Sequence, residues 1–197
     1  MPRYLNVVML AALFLVAASR LPAGENMPER VSGDAAYKRS AALLPEFSAG
    51  DWGVYEVGDM RFQVVVAKAE KRGEELRLSV KYGMLRTNER GADGLLALFM
   101  NVDVLWELRK IVGEYDDFSV EPQEVPFRGG PVEGARVSGF KNGKEADLGP
   151  YLSRHVPLGL AGMHSTKWGE VRLIDCGWAK DKRPPPYRWG GLPGIGE

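Results

Sequence analysis

The chain has 197 residues, and its 26 Lys and Arg are balanced by 26 Asp and Glu. That balance supplies no broad positive field, so binding to nucleic acid or to an anionic lipid surface is not expected. The one cysteine, Cys176, allows no intrachain disulfide, and a domain of this length can be held by packing alone.

The first segment reads as an export signal. Arg3 supplies positive charge, residues 7–18 (VVMLAALFLVAA) are an uncharged apolar run, and Ala17-Ala18-Ser19 place small residues before a cut at Arg20. Leu21-Pro22-Ala23 offers a weaker site. The run is shorter than the roughly 20 apolar residues of a spanning helix. Residues 1–23 are therefore expected to be a cleaved signal peptide, with membrane contact only through a signal segment left uncleaved. Cleavage removes two of the 26 basic residues and none of the 26 acidic ones. The expected location is periplasmic or secreted.

Residues 24–49 are small and polar apart from the patch around Leu43-Leu44, and read as a loose or briefly helical leader. The domain proper is expected over 50–179. Asp51 to Val57 alternates polar and apolar residues, as a half-buried strand does, and Gly58-Asp59 is a turn. Residues 60–67, with Val64-Val65-Val66, read as a second strand. After a charged turn at Lys71-Arg72-Gly73-Glu74, Leu76, Leu78, Val80 and Tyr82 should face the core while Arg77, Ser79 and Lys81 face water. Three such neighbours make an antiparallel meander. Trp52, Tyr55, Phe62 and Tyr82 could stack on one face around a sugar or an acyl chain, although core packing is the commoner role.

From residue 93 the period changes. Leu95, Leu98, Phe99, Val102, Leu105, Leu108 and Val112 fall at helical spacing, with Asp93 as N-cap and Gly113 as stop. The pattern predicts one main helix over residues 93–112. Leu96, Met100, Val104 and Trp106 lie beside its main stripe and are the candidate residues for lining a cavity for an apolar ligand. Strands follow at 118–120, 132–140, 145–153, 158–165 and 170–176. Asn142-Gly143 is a type I′ hairpin signal. Pro157, Gly159 and Gly162 predict a kink or bulge, or a plain turn. In the last strand Val171, Leu173 and Asp175 alternate with Arg172, Ile174 and Cys176, and Trp168-Gly169 makes the turn before it. Residues 180–197, with Pro184-Pro185-Pro186 and several glycines, read as an extended tail.

Gly50-Asp51-Trp52-Gly53-Val54-Tyr55 near the start, Ser153-Arg154-His155-Val156-Pro157-Leu158-Gly159-Leu160 near the end, and Leu173-Ile174-Asp175-Cys176-Gly177 after it form a recognisable cadence. Together they resemble exported β-rich proteins of planctomycete-type bacterial genomes, which read G-D-W-V-x-Y and S-x-x-V-P-L-G-G … L-x-D-x-G. By analogy the resemblance implies a half-open β-barrel like those of bacterial envelope lipoprotein carriers. It covers about 30 residues by that pattern. Leu160 stands where the second glycine of the motif would be, and the predicted helix is outside the pattern. No activity comes with the resemblance.

Catalytic signatures are sparse. His155 and His164 are too far apart to read as a zinc motif, even with Glu170 or Asp175, so no metal or other cofactor is expected. Cys176 with a histidine would be a thiol nucleophile pair, but the apolar Leu173-Ile174 beside it points to a structural thiol. No nucleophile elbow, P-loop or dinucleotide fingerprint occurs. Asp116-Asp117 and Glu74-Glu75 read as solvated turns. The expected fold is mainly β: a curved antiparallel sheet or half-barrel of seven to nine strands with one main helix. The expected function is that of a non-catalytic envelope protein whose concave face binds a lipid, another apolar ligand or an envelope protein partner. A structural or interaction module with a filled core is the alternative, and a hydrolase using Cys176 and a histidine the remoter one.

Overall fold

A computed structural model describes residues 29–58, 60–73, 75–85, 95–125, 127, 130–145, 148–165 and 169–186. The expected signal segment and the end of the expected tail lie outside the described residues.

The meander forms as its alternation dictates. Strands β2 (Trp52–Val57), β3 (Met60–Arg72) and β4 (Glu75–Leu85) pair antiparallel in that order. Leu78, Val80 and Tyr82 are buried and Leu76 packs against them, while Arg77 is exposed. Strand β3 runs five residues beyond the expected 60–67, with a bulge between Val66 and Lys68 that keeps it paired to β4. Gly73 takes φ +60° at the tip.

The helix expected over 93–112 is corrected by the structure. Residues 95–103 are strand β5 (Leu95–Asp103), paired along its length with β4, and only α2 (Val104–Val112) is helical. A continuous apolar run such as Leu95-Leu96-Ala97-Leu98-Phe99-Met100 fits a buried strand as well as a helix, so periodicity does not separate the two. The cap is Asp103 in place of Asp93: its Oδ1 accepts the Trp106 N–H at 3.1 Å, three positions into the helix. Gly113 does end it, donating its N–H to the Arg109 carbonyl at 2.9 Å.

The remaining strands complete one sheet. They are β1 (Arg30–Val31), β6 (Asp117–Val125), β7 (Val132–Lys141), β8 (Lys144–Glu145), β9 (Leu148–Leu152), β10 (Leu160–Ser165) and β11 (Gly169–Gly177). The eleven strands run β1-β6-β7-β9-β10-β11-β2-β3-β4-β5, with β8 on the edge of β7. Two of the eleven are two-residue pairings, so the nine longer ones match the expected range. The 118–120 strand is longer than its sequence signal because Pro122 reads as a breaker. Strand β1 pairs only at Phe118 and Ser119, so Pro122 sits at an edge where its missing N–H is tolerated. The sheet is antiparallel, curved and open, with β1 and β5 at its ends.

Helix α2 carries the chain from β5 at one end of the sheet to β6 near the other. It packs on β4 and on helix α1 (Gly33–Ala42), which packs in turn on β6. The polar 24–49 stretch therefore supplies both an edge pairing and a core helix, in which Ala36 is wholly buried. The inner face of the sheet holds Tyr55, Phe62, Val64, Val80, Phe118, Leu152 and Met163 in a single apolar cluster. Tyr55 stacks on Phe62 with centroids 5.3 Å apart, and Phe62 tilts against Tyr82 at 6.0 Å. These three aromatics are core.

Two turns behave as their sequences require. Asn142 and Gly143 take φ +52° and +74°, the two positive values of a type I′ turn. Nothing lies within 4 Å of a Cβ built on Gly143, so Gly143→Val tests backbone strain alone. A loss of roughly 1–2 kcal/mol is expected in chemical denaturation, and an unchanged midpoint would refute the turn assignment. The Pro157 region is both a turn and a bulge. Ser153 donates its N–H to the Gly159 carbonyl at 2.9 Å, Gly159 takes φ +72°, and the β9–β10 register then shifts between Leu160 and Gly162.

Candidate functional site

The concave face leaves an apolar void beneath α2, of about 80 Å³. Its floor is Val64, Leu78 and Val80 of the meander with Val102 of β5. Leu152, Leu158 and Leu160 close it from the β9–β10 side. Leu44 and Phe47, from the segment joining α1 to β2, and Val104 with Glu107 of α2 complete the lining. Tyr55 contributes its ring, and its hydroxyl donates to the Leu160 carbonyl at 2.9 Å. Burial pushes the Tyr55 pKa far above that of an ordinary phenol, so the hydroxyl stays a neutral donor. The chemistry of this space is hydrophobic contact, with the Glu107 carboxylate as its one charged group.

The four residues expected to line a cavity separate. Val104 lines it. Trp106 is two positions further on, about 200° around the helix, and is 56% exposed on the other side. Glu107, three positions on from Val104, returns to the cavity side. Leu96 and Met100 stand opposite Met84 and Val80 in the β4–β5 register, and their side chains lie outside the described residues. Leu44 and Phe47 carried no site signal, because they sit in a stretch whose polarity reads as leader. Leu158 and Leu160 were visible as the apolar positions of the V-P-L-G-L turn.

The groups considered for catalysis are placed as follows. A bulge between Leu173 and Asp175 reverses the alternation of β11. Cys176 consequently packs against the core, while Asp175 turns outward to meet the Arg183 guanidinium with both oxygens at 2.8 Å. This corrects the expected facing of the last strand, in which Asp175 shared the side of Leu173. Burial, reinforced by the Asp175 charge and opposed by Arg183, pushes the Cys176 thiol up to about 11. His155 is half exposed, with Nε2 3.7 Å from Glu133. His164 lies on β10 opposite Gly149 and Glu170. Among the described residues no group of three His, Cys, Asp or Glu could hold a metal ion.

The thiol gives a pH test. Its folded pKa exceeds the ordinary value of 9.0, so the stability contributed by keeping it neutral is fully present below about pH 9 and is lost as pH rises through about 11. Labelling of the folded protein by a thiol reagent is expected to be much slower than that of the unfolded chain at pH 7, and to accelerate over that window. Equal rates at pH 7 would contradict the burial of Cys176.

The motifs near the two ends of the domain meet in space. Asp51 is buried; its Oδ2 accepts the Ser48 N–H at 2.7 Å and its Oδ1 the Ala179 N–H at 2.9 Å. Trp52 lies opposite Gly177 on β11. Ser153 Oγ donates to the Glu133 carbonyl at 2.5 Å and accepts the His155 N–H at 3.1 Å. Each of these polar side chains is used up in holding backbone.

No family model and no curated protein matches the sequence. Among solved structures, a crystal structure from Bacteroides fragilis, described as an exported-protein candidate with a YmcC-like fold, aligns over 69% of this chain and 99% of its own at 7% identity and a TM-score of 0.39.

Proposed function

We propose that the chain is a non-catalytic, exported envelope protein whose concave face holds the end of an apolar chain such as a lipid acyl group. The apolar void between α2 and the meander carries this reading. The charge, apolar core and small-residue order of residues 1–23 supports export to the periplasm or beyond. The engagement of Asp51, Ser153 and Asp175 in structural hydrogen bonds, and a thiol held neutral, support a binding role over a hydrolytic one. A second reading, an interaction module with a filled core that docks an envelope partner, is favoured by size. The void of about 80 Å³ falls below the roughly 300–1,000 Å³ of ordinary ligand pockets.

Native mass spectrometry of the protein from its own host tests both parts. The expected product begins between Arg20 and Glu25 and carries a lipid-sized adduct that Val104→Phe, which fills the void, removes without unfolding the protein. An intact Met1 on a cytoplasmic product refutes export. A bare mature chain that also fails to bind dansyl-undecanoic acid refutes the apolar ligand and leaves the filled-core reading.

A further inference from the structure

A second concavity lies outside the core, between the β3–β4 hairpin and the start of α2, with a volume of about 560 Å³. We propose that this cleft is a binding site for a neutral saccharide. Its wall includes Trp106, one of two large hydrophobic side chains exposed among the described residues. The Trp106 backbone N–H donates to the Asp103 cap at 3.1 Å, which fixes where the residue leaves the helix, and Lys110 Nζ lies 5.3 Å from the ring centroid. An exposed indole offers a flat apolar surface to the C–H face of a sugar ring.

The polar groups around it suit hydroxyls. Ser79 Oγ donates to Asn101 Oδ1 at 2.6 Å, which occupies the amide carbonyl and leaves the Asn101 NH2 as a donor. Asp103 keeps its second oxygen as an acceptor, since only Oδ1 serves the helix cap. The cleft's two cations are neutralised: Lys68 Nζ lies 2.6 Å from Glu70 and Arg77 Nη2 lies 2.9 Å from Glu75. No lining cation is left over for a phosphate or carboxylate, and the Asp103 carboxylate adds a negative charge, so an anionic ligand gains nothing here. Donors and acceptors converging beside an aromatic plate, with both lining cations paired, match a polyhydroxylated neutral ligand. The cleft shares Leu78 and Val102 with the apolar void, but Trp106 and the polar groups that carry this inference do not line that void.

The test is titration of the folded mature chain with cellohexaose, maltohexaose and N-acetylchitohexaose, followed by the indole N–H resonances of the tryptophans, with that of Trp106 assigned from Trp106→Phe. At least one sugar is expected to give a saturable, millimolar shift of the Trp106 resonance. Trp106→Ala and the exposed Asn101→Ala should each weaken binding at least about tenfold with the thermal midpoint of the parent retained. No saturable shift with any of the three sugars overturns the proposal, as does binding that survives both substitutions unchanged.

Discussion

Trp52→Ala is expected to lower the stability of the domain by about 3–5 kcal/mol, the range for truncating a fully buried large aromatic. Trp52 belongs to the outer face of β2, away from the main apolar cluster, yet its exposure is 0%. What covers it is the C-terminal segment after β11, beginning with the short 3₁₀ helix Ala179–Asp181. The indole N–H donates to the Arg183 carbonyl at 2.9 Å, and the Arg183 guanidinium sits 5.2 Å from the ring while holding Asp175. Gly177 makes the slot: a Cβ there would come within 2.5 Å of the indole nitrogen. Truncation would empty the slot, orphan the Arg183 carbonyl and uncover Val54, which is 1% exposed. Trp52→Phe keeps part of the ring volume and should lose less, chiefly the hydrogen bond, about 1–2 kcal/mol. Urea unfolding reads both. A loss below about 1 kcal/mol for Trp52→Ala, well under the cost of an emptied core site, would mean that the C-terminal segment does not dock in solution.

From residue 180 on, that segment belongs to the stretch whose prolines and glycines read as tail. The misreading has a physical source. Residues 178–183 form no ladder and carry four charges among six residues, so neither periodicity nor hydropathy marks them. Their attachment depends on Asp51 and Trp52, which are far away in sequence, as well as on the nearby Asp175. The leader holds the helix that was one of its two expected readings, with a weak apolar stripe because it contributes small side chains such as Ala36 and Ser40 to the core.

Where a single strand pair determined the outcome, the sequence was legible. Leu78, Val80 and Tyr82 alternate because one face of β4 is buried and the other wet. Asn142-Gly143 specifies its own turn through positive φ. The failures fall where two solutions have similar local signals. Residues 95–100 are apolar without interruption, and only pairing with β4 decides for strand over helix. In β11 the bulge at Ile174 moves Cys176 inward and Asp175 outward, a change of facing that no alternation rule anticipates. Of the four residues placed beside the stripe of the expected helix, Val104 lines the void. Leu44 and Phe47 were missed because a polar neighbourhood hid them.

The residues that carry the resemblance to exported β-rich proteins have structural work in this fold. Gly50, at φ +96°, lets the chain turn into Asp51 while Ala179 packs beside it at 3.2 Å from where a Cβ would be. Asp51 ties Ser48 and Ala179, and Trp52 fills the Gly177 slot. Val156 is 0% exposed, and Gly159 leaves room for Pro45, 2.8 Å from a built Cβ. These residues hold two corners of the curved sheet.

Leu160→Ala is expected to cost about 2–5 kcal/mol, and its response to ligand separates the two readings of the concave face. Leu160 is 6% exposed and lines the void, while its carbonyl, which the substitution keeps, accepts the Tyr55 hydroxyl at 2.9 Å. Removing the side chain beyond Cβ enlarges a space that is already apolar. Such cavities stay dry and take small apolar molecules, as an engineered one of about 150 Å³ takes benzene. If the concave face is built to hold the end of a chain, decanoic acid should bind the variant more tightly than the parent and return stability. At a hundredfold excess over its dissociation constant the gain is about 2.7 kcal/mol, readable as a rise in the unfolding midpoint. If the interior is simply a filled core, the neighbours Leu158, Val102 and Phe47 relax into the space, the cost falls to the lower end of the range, and decanoic acid changes nothing. A variant that is strongly destabilised and still unresponsive to decanoic acid would also defeat the ligand reading, because the enlarged void would then be closed to the chain it is proposed to hold.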